Sequence, residues 1–225
     1  MNTLLAAIVD DDLTRVTELL AGNAALARRL VDEERLYERG IYHWIYVGDT
    51  ALHLAAAGYR VKIVQLLIAA GADPNSVRNR RRSSPLHYAA DGFLTGSAWD
   101  PGRQVTTLQT LLDAGADLHA QDQNGATALH RAVRTRCAAA AIHLLSAGSD
   151  PSRRNKAGST PFHLAVQNTG RGGSGEEIAR EAQRQIVDGF ISFGVSPHLK
   201  DGKGRSVMDC AQSVWLRNLL VRNAD

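Results

Sequence analysis

Aromatic side chains make up only 5% of this 225-residue chain, and cysteine is limited to Cys137 and Cys210. A core so poor in rings must be assembled mainly from Leu, Ala, Ile and Val. Neither cysteine has a CxxC partner, so no disulfide framework is expected and a reducing compartment is the natural setting. No apolar run approaches the roughly 18 residues of a membrane span. The apolar stretch at residues 3–9 is too short for a signal segment, and no basic residue precedes it. A cytoplasmic protein is therefore expected, with no membrane association. A charge excess of one sign is also lacking: 26 basic against 23 acidic residues give a formal charge of +3. That balance does not supply the clustered basic face of a nucleic-acid binder, so nucleic acid is not an expected partner. Hydrophobic residues at 44% and charged residues at 22% are ordinary for a folded globular chain.

What is present is a repeat. One hexapeptide recurs as Thr50-Ala-Leu-His-Leu-Ala55, Ser84-Pro-Leu-His-Tyr-Ala89, Thr127-Ala-Leu-His-Arg-Ala132 and Thr160-Pro-Phe-His-Leu-Ala165, with a degenerate copy at Ser206-Val-Met-Asp-Cys-Ala211. A second pattern interleaves with it, in Leu67–Asp73, Leu112–Asp117, Leu145–Asp150 and Ile191–Ser196. Each Thr or Ser suits a helix N-cap, with Pro or Ala in the first turn. Segments such as Val61–Ile68 carry apolar residues at helical spacing. Gly71, Gly115, Gly148 and Gly194 stand where a left-handed residue ends such a helix. Turn-forming fingers follow at Asp122–Gly125, Asn155–Gly158 and Asp201–Gly204.

These patterns resemble the ankyrin repeat, which has a period of about 33 residues and the mark T-P-L-H-x-A. The resemblance covers almost the whole chain and implies an all-α solenoid of helix-turn-helix units with finger loops. The expected organisation is a single domain, residues 1–225: a half-repeat cap at 1–23, a long first connection at 24–49, four full repeats at about 50–205 and a degenerate closing repeat at 206–225. The resemblance further implies that His53, His87, His130 and His163 are structural, tying one repeat to the next. It implies a concave binding face built from finger tips and exposed inner-helix positions, here Arg82, Tyr88, Arg131, Arg134 and Gln167.

The period breaks in three places. Thr127 and Thr160 are 33 residues apart, but Ser84 to Thr127 is 10 longer, Thr160 to Ser206 is 13 longer, and the first connection is about 16 too long. The insertions fall at 37–47, 91–103 and 168–182. Insertions in repeat proteins map to loops, often on the binding face. Trp44, Tyr46, Phe93 and Trp99 concentrate the scarce aromatics there, and such residues are favoured interface anchors. The finger Arg78-Asn-Arg-Arg-Arg-Ser83 replaces the usual Asp and Gly with a cationic cluster, Arg78, Arg80, Arg81 and Arg82. Such a tip suits an acidic partner.

The expected function is therefore recognition of another protein, through the groove and the inserted loops, by a monomer without a cofactor or metal. The alternative is an enzyme or small-molecule binder with a pocket roofed by the insertions. Its residues would be His43, His87, Asp91 and Asp100, flanked by Trp44 and Trp99. Asp91 follows His87 by four residues, a spacing that places both on one helix face. No nucleophile motif accompanies the pair, and the run Gly170–Gly175 lacks the Lys-Ser/Thr of a phosphate loop.

Overall fold

The computed structural model describes residues 2–37, 40–41, 43–92, 99–167 and 176–222. Phe93, Tyr42 and residues 168–175 of the third insertion lie outside the described residues. The helices form two layers. The inner layer contains α1 (Asn2–Val9), α3 (Ala51–Ala57), α5 (Pro85–Ala90), α7 (Ala128–Arg134), α9 (Pro161–Ala165) and α11 (Val207–Cys210). The outer layer contains α2 (Leu13–Gly22), α4 (Val61–Ala69), α6 (Pro101–Asp113), α8 (Ala138–Ser146), α10 (Glu177–Ser192) and α12 (Val214–Arg222). Inner helices stack in chain order from α1 to α11, and outer helices from α2 to α10. No described helix is long and apolar enough to cross a membrane.

The hexapeptide explains the inner helices. Ser or Thr caps α5, α7 and α9, and the Leu or Phe two residues after each cap is buried. Between the layers lie Leu52, Leu67, Leu86, Leu108, Leu129, Leu144, Ile186 and Phe190, none more than 1% exposed. Phe162 and Phe190 stack with ring centroids 4.7 Å apart. This is the aliphatic core that the composition requires. The outer helices α4, α6, α8 and α10 close on Gly71, Gly115, Gly148 and Gly194, each at positive φ.

Two features differ from expectation. Residues 1–23 contain the helix pair α1 and α2, where a half-repeat with one helix is expected. The first connection carries a short 3-10 turn, Ala24–Arg28, and an antiparallel hairpin of β1 (Arg35–Tyr37) and β2 (His43–Ile45). Leu36 pairs with Trp44, and Tyr37 with His43. Aromatic and β-branched residues favour such pairing once one face is covered. Here Ile45 is fully buried and β2 lies against α3.

Candidate functional site

All four motif histidines make the same bond to the following repeat, and three of them share a second bond, to the backbone N–H of their own N-cap. In His53, His87 and His130, Nδ1 lies 3.0–3.2 Å from the backbone N–H of its own N-cap and therefore accepts from it. The ring proton is thus on Nε2, which donates to a carbonyl of the next finger: His53 to Ser83, His87 to Ala126, His130 to Ser159 and His163 to Arg205. Each ring joins its helix start to the following repeat. Ligand atoms of His163, Asp201 and Cys210 also lie within 4.8 Å of one another. Two of the three are already engaged: His163 donates to the Arg205 carbonyl, and Asp201 accepts from Lys203 N–H, Arg205 N–H and the Arg205 guanidinium.

The concave face is not open where expected. The residue after each motif histidine should look into the groove, yet Leu54, Tyr88 and Arg131 are 0%, 1% and 2% exposed. Tyr88 and Arg131 are therefore not surface contacts. The hairpin folds back into this space. The His43 ring lies 4.6 Å from the Tyr88 ring, and the Tyr88 hydroxyl donates to the buried Asp49 at 2.7 Å. Arg131 bridges two carboxylates, Asp91 and Asp122, each at 2.8 Å, and also donates to Ser83 Oγ. Burial would raise the Asp91 pKa, but Arg131, His43 and Arg134 together hold it well below the usual carboxylate range. Arg134 and Gln167 do remain exposed.

The enzymatic constellation does not assemble. His87 and Asp91 form no side-chain bond; His87 contacts Ser84 and Ala126, and Asp91 faces two arginines. His43 Nε2 approaches Asp91 to 3.7 Å, while its Nδ1 lies 2.7 Å from the Trp44 carbonyl. Asp100 caps α6, accepting from Gly102 and Arg103 N–H. The recess beneath the insertions involves only two of them. It encloses about 400 Å³ between Trp99 and Pro101 on one side and Glu177, Ile178, Glu181 and Ala182 on the other, with Ala138 and Ala139 as its floor.

The hairpin and the arginine finger form one surface. Trp44 is 46% exposed and stacks on Tyr46, ring centroids 6.4 Å apart. The Arg80 and Arg81 guanidiniums lie 5.1 and 5.2 Å from the Tyr46 ring centroid, and Arg81 donates to its hydroxyl. Arg80 also pairs with Glu34 at 3.1 Å, a residue that the sequence reading does not single out. Arg78 and Arg82 are exposed. The finger keeps the shared geometry in spite of its sequence. Asn79 takes the place of Asp122, accepting from Ser83 N–H, and Arg82 adopts φ +50 where Gly125 stands in the next finger at φ +71.

A second device was equally unread from the sequence. The ends of α5 and α9, where the chain leaves for the second and third insertions, are held by matching glutamines. Gln104 donates to the carbonyls of Ala89 and Asp91, and Gln183 to those of Ala165 and Gln167. The preceding repeat adds the Tyr59 hydroxyl on Asp91 and the Arg136 guanidinium on Ala165 and Gln167. Gln104 also accepts from the Trp99 indole at 3.0 Å. Gln104→Ala leaves the Ala89 carbonyl and the indole without these bonds, so it should cost about 1–3 kcal/mol. Urea unfolding followed by circular dichroism measures this, and a change below about 0.5 kcal/mol would deny Gln104 that role.

Comparison with known proteins agrees with this architecture. Residues 111–165 match a family model for ankyrin repeats in many copies, and residues 47–79 match one for the single ankyrin repeat. The ankyrin repeat and SOCS box protein 6 of Mus musculus is 42% identical over 84 residues, covering 37% of this chain and 18% of that protein. The B-cell lymphoma 3 protein of Homo sapiens is 32% identical over 132 residues, covering 57% of this chain and 27% of that protein. The chain thus spans about a quarter or less of the length of these relatives. Hexapeptide, histidine bonding, two-layer stacking and family matches converge: the chain belongs to the ankyrin-repeat family.

Proposed function

We propose that this chain is a protein-recognition module whose contact surface is the outer face of the first hairpin together with the arginine finger. Ankyrin repeats serve generally as protein-interaction modules. The observation that carries the reading is Trp44: a half-exposed indole stacked on a tyrosine that two arginines hold in place. The Tyr46 ring is already fixed, so a partner loses little additional side-chain freedom on docking against it. The cations beside the indole favour a partner segment with apolar side chains flanked by carboxylates. The inner groove contributes less, because Leu54, Tyr88 and Arg131 are covered. Its open part lies near Arg134 and Gln167, and a shallow cleft of about 420 Å³ runs between fingers past Val77, Arg82 and Gln121. The module acts as a monomer in the cytoplasm in this reading.

The test is affinity capture of partners on the full chain, followed by titration of a recovered partner against variants shown to be folded. Trp44→Ala should weaken binding by about 2 kcal/mol or more. Arg80→Ala/Arg81→Ala should mainly slow association and flatten its salt dependence. Unchanged binding in both variants would place the recognition surface elsewhere and end this reading.

A further inference from the structure

The recess on the outer layer is independent of the hairpin surface, and repeat architecture explains its origin. Helices α6 and α10 are 13 and 16 residues long, while α8 between them has 9 and starts without a preceding insertion. The first turn of α8 therefore lies low between two longer neighbours, with Ala138 and Ala139 as the bottom of a notch. Trp99 and Pro101, from the end of the second insertion, form one wall. Ile178 and Ala182, on the first two turns of α10, form the other.

Ile178 is informative. It lies four residues before Ala182 and eight before Ile186, so it continues the buried stripe of α10 beyond the point where α8 can cover it. It is 48% exposed. The rim beside it carries Glu177 and Glu181, both exposed and four residues apart on one face of α10; Glu181 also accepts from Gln185 and forms a solvent-exposed pair with Arg184 at 3.6 Å, which an incoming cation would have to displace or share. The cation at the base, Arg136, is turned to another task. It is 7% exposed, and its two terminal nitrogens donate to the carbonyls of Ala165 and Gln167, at the end of α9. Backbone carbonyls at a helix end carry partial negative charge and partly compensate it. The notch thus offers an apolar bottom, an aromatic wall and a carboxylate rim. Its volume is in the range of about 300–1,000 Å³ typical of ligand sites.

We propose that this notch is a second docking site, which takes a segment of a partner protein that presents a large apolar side chain next to a lysine or arginine. The apolar side chain enters between Trp99 and Ile178, and the cation lies over Glu177 and Glu181. This is the opposite charge preference to that of the arginine finger, so a partner that spans both surfaces would be read in one orientation.

The experiment uses the full, isotope-labelled chain and short capped peptides with Leu or Phe flanked by lysines. Controls carry Ala at the centre or glutamates at the flanks. Amide signals of Ala139, Ile178 and Ala182 and the Trp99 indole signal should shift with the lysine-flanked Leu and Phe peptides and stay fixed with both controls. The exposed-site variant Glu177→Lys/Glu181→Lys should weaken binding of the lysine peptides about tenfold or more and favour the glutamate peptides. Ile178→Ser should weaken binding without altering the fold. Absence of shifts up to millimolar peptide, or shifts indifferent to the central residue or to the flanking charge, would overturn the proposal. So would shifts produced by octylammonium alone and by none of the peptides, which would assign the notch to a small amphiphilic cation.

Discussion

Arg131→Ala should lower the unfolding free energy by about 3–5 kcal/mol, the usual consequence of removing one partner from a buried ion pair. Its guanidinium is 2% exposed and bonds Asp91, Asp122 and Ser83 at once. These three residues lie in different places: at the exit of α5, in the finger before α7 and in the arginine finger. One side chain therefore joins two fingers and the start of the second insertion. Truncation leaves the carboxylates of Asp91 and Asp122 partly buried without that cation, although Arg134 and His43 remain near Asp91. Arg131→Met should be almost as damaging, because it restores volume and leaves both charges unpaired. Adding Asp91→Asn to Arg131→Met should recover part of the loss, a coupling that a double-mutant cycle measures. Urea unfolding is the assay. A loss below about 1 kcal/mol for Arg131→Ala would show that the bridge is solvated in solution and contributes as a surface pair does.

Arg131 also shows where the sequence stops being legible. The hexapeptide determines the local structure, since the same residues cap the helix, fill the core and supply the bridging histidine. The two-layer stack follows from it directly. The residue after the histidine is different, because its exposure depends on whether anything lies in the groove. Tyr88 and Arg131 read as exposed for a plain repeat, yet both are buried, Tyr88 against His43 of the hairpin and Arg131 on Asp91, Asp122 and Ser83. A hint was present in Leu54, an aliphatic residue at a position that should meet water. The matching glutamines were legible in principle: Gln104 stands eleven residues before Gly115, and Gln183 eleven before Gly194. Those are the two repeats with insertions between their helices, and repeat-by-repeat alignment would expose the coincidence. The union of Trp44, Tyr46 and the arginine finger was not legible. It depends on a contact between residues more than thirty positions apart that belongs to no repeat rule.

The second large effect is loss of stability in mild acid, beginning well above the range in which carboxylates titrate. Burial lowers the pKa of His53, His87, His130 and His163 below the ordinary 6.5, and for His87, where Arg131 adds to the effect, the value falls to about 4. The structural cause is the bonding pattern. In His53, His87 and His130, Nδ1 faces the N-cap N–H, so a second ring proton would oppose a donor and break the bond that starts the helix. A folded pKa below the unfolded one means that the unfolded chain binds more protons between the two values. The stabilisation is thus fully present above pH 6.5 and is lost as pH falls from there toward 4. For His87 alone the separation corresponds to roughly 3 kcal/mol. Asp91 cannot account for a loss in that window. Its lowered pKa contributes stability above its ordinary 3.8, and that contribution declines only below it. Urea unfolding measured from about pH 7 to about pH 4 should therefore show stability falling by several kcal/mol. His87→Gln should be less stable than the parent chain at neutral pH, with a shallower slope, so that the two curves converge toward pH 4. A pH-independent gap between them would mean that His87 titrates at the same pH in the folded and unfolded chains and contributes by shape and hydrogen bonding alone.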